Sequence, residues 1–258
     1  MVIAVNYINW KVENEIGFLT VNRPPVNALN REVLAEMSLT LEQIQDSCRV
    51  VILSGDGEKA FVAGADIQEF PELGREEGEQ LCLIGQSIFQ QIAELNQPVI
   101  AAIDGYTLGG GLELALACDF RIATKKSLFG FPEVKLGIMP GYGGTQRLSR
   151  LIGPGKAKQL IFSGEMISGE EANRIGIIEE IVEDDAMAMA LKWANMIALR
   201  GPLAVQTAKK AINQGINMEL VEGLALEASL FGGLCETKDK NEGVMAFLER
   251  REAKFSGK

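Results

Sequence analysis

Gly105-Tyr106-Thr107-Leu108-Gly109-Gly110-Gly111-Leu112-Glu113-Leu114-Ala115 sits between an apolar run, Val99–Ile103, and a segment with good helix formers. Five consecutive apolar residues before a turn read as a buried strand. A strand, a glycine corner and a helix in that order predict an α/β chain with bare backbone at the corner. Glycine lets a ligand approach the main chain closely, and the first turn of a helix offers unpaired N–H groups at a positive dipole end. The same glycines also suit a tight strand-to-helix connection, and this stretch alone leaves both readings open. Its register does not fit the dinucleotide pattern GxGxxG, and no Gly-Lys-Ser/Thr follows to make a phosphate-binding P-loop.

On either side of this corner the alternation continues. Ile16–Val21 is a β-prone run that stops at Arg23-Pro24-Pro25, and Asn30 is placed to cap a helix with apolar positions at Leu34, Met37, Leu41 and Ile44. Residues 50–53 predict a buried strand, 76–95 a helix that ends before Pro98, and 120–123 and 178–182 two more short strands. From Asp185 onward only helical segments are expected, broken at Gly201-Pro202 and near Gly232-Gly233. One apolar stripe there runs through Val205, Ala208, Ile212 and Ile216, another through Leu220, Leu224, Ala228 and Phe231. Such faces must fold back on the core or pack against neighbouring copies.

Composition removes several classes of chemistry. The 258 residues carry 25 basic and 35 acidic side chains, a net charge of −10, which disfavours nucleic acid as a partner. Histidine is absent, so a Ser-His-Asp triad, a Cys-His pair and His-ligated zinc are impossible. Cys48, Cys82, Cys118 and Cys235 form no CxxC pair, and no metal site is expected. The start, Met1-Val2-Ile3-Ala4-Val5-Asn6, has no signal-peptide character, and no apolar run reaches the ~20 residues of a membrane span. The expected setting is the cytoplasm.

Without histidine, acid–base chemistry falls naturally to carboxylates. Glu133 lies in Phe129-Gly130-Phe131-Pro132-Glu133, beside a proline among apolar residues, where desolvation would raise its pKa. Glu113 lies just inside the helix after the glycines. Each is equally readable as an ordinary residue, a turn glutamate and a charge complementing a helix dipole. A third segment, Ala63-Gly64-Ala65-Asp66-Ile67, again leaves backbone reachable, with Asp66 a possible helix cap.

Taken together, these motifs resemble the crotonase superfamily, the enoyl-CoA hydratase/isomerase family. The resemblance rests on Asn22-Arg23-Pro24, Asn27-Ala28-Leu29-Asn30, and the segments 60–67, 98–119, 129–133 and 140–148, with Ala246-Phe247-Leu248-Glu249-Arg250-Arg251 near the end. It implies an α/β spiral of repeated ββα units over residues 1–195, and a helical C-terminal region over 196–258 for oligomerisation and active-site cover. The implied assembly is a homotrimer or a dimer of trimers.

By the same resemblance, the backbone N–H groups of Ala65 and Gly110 form an oxyanion hole for an acyl-CoA thioester. Glu113 and Glu133 match the two catalytic glutamates of the hydratases, which add water to trans-2-enoyl-CoA. Lys59, Ala28, Ala63, Asp66, Ile67, Gly109, Phe131, Phe247 and Arg250 fall at positions that bind the CoA or acyl portion. Coenzyme A enters as part of the substrate, with no further cofactor. Two departures stand out: Gln68 replaces a common lysine, and Phe131 replaces glutamine in the Phe-Gly-Gln-Pro-Glu pattern, making that wall more apolar. A Δ3,Δ2-enoyl-CoA isomerase is the nearest alternative, and a non-catalytic or RNA-binding relative the alternative of another class. Retention of both glutamates favours hydration, and the charge of −10 disfavours RNA.

Overall fold

The computed structural model describes residues 7–44, 47–71 and 73–258. The signal-peptide reading of Met1 to Asn6 lies outside them. The chain opens with an antiparallel hairpin, β1 (Ile8–Glu13) and β2 (Ile16–Val21), closed by Asn14 and Glu15 in the positive-φ conformation that two-residue hairpins need. Helix α1 (Arg31–Ile44) follows, and Asn30 Oδ1 accepts from Val33 N at 3.0 Å, capping it as expected.

Three turns of one pattern come next. The first is β3 (Val50–Gly55), β4 (Ala60–Val62) and α2 (Arg75–Glu94). The second is β5 (Val99–Ile103), β6 (Tyr106–Leu108) and α3 (Gly110–Ala117). The third is β7 (Phe120–Thr124), β8 (Leu128–Gly130), a 3₁₀ turn over Pro132–Leu136, and α4 (Gly144–Ile152). In each turn the first strand joins one sheet and the second strand joins another, and a helix returns the chain to the start. The chain then passes through α5 (Pro154–Ser163), β9 (Met166–Ser168), α6 (Gly169–Arg174) and β10 (Glu180–Val182). The two sheets have the orders β1-β2-β3-β5-β7-β10 and β4-β6-β8-β9. Within them β2, β3, β5, β7 and β10 run parallel, as do β4, β6 and β8. This is the ββα spiral that the sequence implies.

The larger core fills the space between the sheets and α1 to α3, with Leu19, Leu53, Phe61, Phe89, Ile103 and Phe129 fully buried. The outer face of the six-stranded sheet is covered by α7 (Ala186–Ala198). Its alanines 186, 190, 194 and 198 recur every four residues and seat the helix closely on Val50, Ile52, Ile100 and Ile122.

The remaining helices are α8 (Pro202–Gly215), α9 (Leu220–Leu234) and α10 (Lys238–Glu249). They attach to the core through few polar ties. Lys209 Nζ reaches Gln97 O at 2.9 Å and Asp119 Oδ2 at 2.8 Å. Two boundaries differ from expectation. Glycines 232 and 233 lie inside the last turns of α9, and the break comes at Thr237, whose Oγ1 accepts from Lys240 N and starts α10. Ile178 is a core residue, but its strand begins only at Glu180.

Candidate active site

Strands β4, β6 and β8 run parallel and end on the same side, so the corners that follow them converge. Ala65 follows β4, Gly109 and Gly110 follow β6, and Glu133 follows β8. At the first corner, Leu29 N donates to Gly64 O and Asp66 N donates to Leu29 O. These bonds engage the amides around Ala65, and its own N–H donates to no acceptor among the described residues. The Gly110 N–H is the first amide of α3 and has no acceptor within that helix. A methyl built on Gly110 would stand 3.5 Å from the Ala65 nitrogen, so the two free donors are neighbours.

Asp66 has a structural task at this corner. Its Oδ2 binds Arg23 Nη2 at 2.5 Å, and its Oδ1 caps the following 3₁₀ turn through Gln68 N. Arg23 also donates to Ala28 O at 3.0 Å, which ties the residue 28 loop to the Ala65 corner. Asn27 completes the tether: it is buried, has φ 57°, and its Nδ2 reaches Asp56 O, Ala60 O and Phe61 O. The sequence reading gave Arg23 and Asn27 no individual role.

Glu113 is 1% exposed on α3. Its Oε1 accepts from Tyr142 N at 2.8 Å and Gly144 N at 2.6 Å. No hydrogen bond among the described residues engages Oε2, which leaves that oxygen to accept from a water. Burial pushes the Glu113 pKa up to about 7, with the Glu133 charge adding to the rise. The Gly144 and Tyr142 amides and Arg147 oppose that rise. Burial likewise pushes Glu133 up to about 7, and its Oε2 is buried with no hydrogen-bond partner. Gly109 has φ 49°, and a methyl there would fall 2.7 Å from Glu133 Oε1. Glycine is therefore required at 109 both for its backbone and for the room that Glu133 occupies.

Ala65, Gly110, Glu113 and Glu133 line one cleft of about 720 Å³, together with Ile67, Phe70, Leu73, Leu81, Met139 and Tyr142 among others. Its walls are mainly apolar, which suits an acyl chain beside two acid–base groups. Other expected site residues lie elsewhere. Phe131 is fully buried, with its ring against Gly144, and is not among the residues that line the cleft. Ala28, Ala63, Asp66 and Gly109 support the corners without lining the cleft. Lys59 is exposed in the turn between β3 and β4, Phe247 is 82% exposed on α10, and Arg250 caps that helix in the left-handed conformation. None of these three lines the cleft. The amides of Tyr142 and Gly144 were missed, because main-chain donors leave no side-chain signature.

A spiral of ββα turns that sets two buried carboxyls against a pair of open amides is equipped for acid–base chemistry on a carbonyl compound. The chain belongs to the enoyl-CoA hydratase/isomerase family, whose model matches residues 11–258. It is 44% identical to the short-chain-enoyl-CoA hydratase of Clostridium acetobutylicum over 252 residues, 96% of this chain and 97% of that protein. It is 43% identical to the crotonyl-CoA hydratase of Syntrophomonas wolfei, covering 99% of this chain and 100% of that one. The crystal structure of an enoyl-CoA hydratase from Bacillus anthracis superposes with a TM-score of 0.94 at 42% identity, covering 98% of this chain and all of that one.

Proposed function

We propose that this protein is an enoyl-CoA hydratase, a carbon–oxygen lyase that adds water reversibly, in the syn sense, to trans-2-enoyl-CoA and gives 3-hydroxyacyl-CoA. The observation that carries the reading is the convergence of Glu113 and Glu133, both with raised pKa, on one cleft with the free amides of Ala65 and Gly110. The thioester oxygen is held between those two amides. As water attacks C3, Glu113 Oε2 takes its proton and the hydroxide oxygen bonds to carbon. The electron pair of the double bond moves toward the thioester oxygen, where the amides stabilise the enolate charge. Each such donor is worth about 3–4 kcal/mol at the transition state. Glu133 then delivers its proton to C2. Carboxyls at about 7 supply both a base and an acid at neutral pH, and the balance of atoms needs only water and the thioester, with no cofactor.

Isomerisation between Δ3 and Δ2 enoyl-CoA would use one carboxyl to shuttle a proton and would leave the hydrogen-bonded, buried Glu113 without a task. Lys59, Phe247 and Arg250 are proposed to meet the CoA nucleotide, the last two across a subunit boundary, since both lie exposed on the C-terminal helical region. That region, residues 196–258, is proposed to build a homotrimer or a dimer of trimers, supported by exposed Ile212, Ile216, Leu220, Val221, Leu224 and Phe231. We place the protein in the cytoplasm without a nucleic-acid partner. No helix among the described residues is long and apolar enough to cross a membrane.

The test is loss of the conjugated enoyl-thioester absorbance when the protein meets crotonyl-CoA. Glu113→Gln and Glu133→Gln should each lower kcat by about 10²–10⁴-fold. The wild-type rate should pass through a maximum near neutral pH, because Glu113 must be ionised and Glu133 protonated. A folded protein that is inert toward crotonyl-CoA and longer trans-2-enoyl-CoAs overturns the reading.

A further inference from the structure

The donors that hold Glu113 are themselves held from α2. Gln86 Nε2 donates to Gly141 O at 2.8 Å, next to Tyr142. One helical turn further along α2, Gln90 Oε1 accepts from Arg147 Nη2 at 2.9 Å, while Gln90 Nε2 donates to Glu94 Oε1 at 2.7 Å, which fixes the amide orientation. Gly85, the residue before Gln86, has the Tyr142 ring against it. Arg147 springs from the first turn of α4, where its own N–H binds Gly143 O at 2.8 Å. Its side chain folds back along that turn, so that a methyl on Gly143 would stand 3.4 Å from Nε. Among the described residues Arg147 makes no ion pair within 4.0 Å, so no neighbouring carboxylate cancels its charge at contact distance.

We propose that Arg147, braced by Gln90, is a positioning residue for Glu113: it locks the turn whose Tyr142 and Gly144 amides grip the carboxylate, and it keeps a positive charge behind that grip. The proposal rests on the hydratase reading for its rate measurements only. The groups facing Glu113 are Glu133 from the 3₁₀ turn, Cys82 from α2, Tyr142 from the loop before α4, and Arg147 from α4. Arg147 is the one cation among them. Removing it takes away an attraction for the ionised carboxylate, so the Glu113 pKa moves up and the acid limb of kcat moves with it.

The experiment compares wild type, Arg147→Met, Arg147→Lys and Gln90→Leu with crotonyl-CoA across pH. Arg147→Met should lower kcat at neutral pH at least tenfold with KM changed by less than about twofold, and shift the acid limb up by about half a unit. Arg147→Lys should restore the limb, because it restores the charge. Gln90→Leu should lower kcat with little movement of the limb, because the brace goes and the charge stays. The Glu113 carboxyl is also titrated directly by ¹³C NMR of glutamate-labelled protein, assigned with Glu113→Gln. That readout uses no substrate, so it reports on Arg147 even if the protein proves inert toward enoyl-CoA. An unmoved Glu113 titration in a folded Arg147→Met variant overturns the proposal, as does a limb shift that Arg147→Lys fails to reverse.

Discussion

Glu113 is stored in the fold at a cost. Moving a carboxyl from 4.5 to about 7 by burial amounts to a few kcal/mol of linkage to folding. The sign follows from proton counting: between those two values the folded chain binds more protons than the unfolded one, so stability falls as pH rises. Glu113→Gln keeps an oxygen for the Tyr142 and Gly144 amides but cannot ionise. Thermal unfolding should therefore show the variant gaining on wild type as pH rises from about 5 to about 8, with the two closest at the acid end. Equal curves across that range would mean that Glu113 titrates as an exposed glutamate does. The absence of histidine only turned attention to the 35 acidic side chains; it was the family resemblance that singled out these two glutamates. The rest of the site was less legible: the sequence offered Asp66 both as a helix cap, which its bond from Gln68 N bears out, and by resemblance as a position against the CoA, while its pairing with Arg23 shows only in the coordinates.

The corners owe their shape to close approach between strands and helices. Gly111, the second residue of α3, lies so near β4 that a methyl would fall 1.9 Å from Val62 O. Gly111→Ala should force α3 off β4, separate the Ala65 and Gly110 amides, and lower the unfolding midpoint by an amount matching about 1–3 kcal/mol or more. A folded Gly111→Ala protein with unchanged midpoint and rate would contradict that geometry. Apolar runs and caps made β2, β3, β5, α1 and α2 readable in advance, since local pattern and burial agree there. The short strands β4, β6, β8 and β9 have three residues each and carry no such pattern, being specified by their neighbours in the second sheet. The alanine stripe of α7 was equally silent, because alanine reads as a helix former wherever it packs.

Taken whole, the chain leaves apolar side chains unburied along α8, α9 and the turn joining them, where Ile216, Leu220 and Val221 are each more than three-quarters exposed. Exposed apolar side chains gathered on one helical region are what the proposed assembly would cover. Sedimentation should give a mass of three chains of 28.0 kDa or a multiple of it, and Leu224→Asp with Phe231→Asp should shift it toward a single chain. A wild-type protein that sediments as one chain at micromolar concentration would remove the proposed assembly. The amphipathic stripes of this region were visible in the sequence, yet which partner they meet depends on surfaces outside any one helix.

The division of labour among the three ββα turns has an evolutionary consequence. The first turn lends Ala65, the second Gly110 and Glu113, the third Glu133. A peptide N–H survives every side-chain substitution except proline, whereas each carboxyl can vanish in a single codon change. On the proposed function, the amides that cradle the thioester are the part of this scaffold that substitution leaves in place, and the carboxyls are the part it can exchange. On that reading, new acyl-CoA reactions would be engineered by changing side chains on the second and third turns, with the backbone at Ala65 and Gly110 left as it stands.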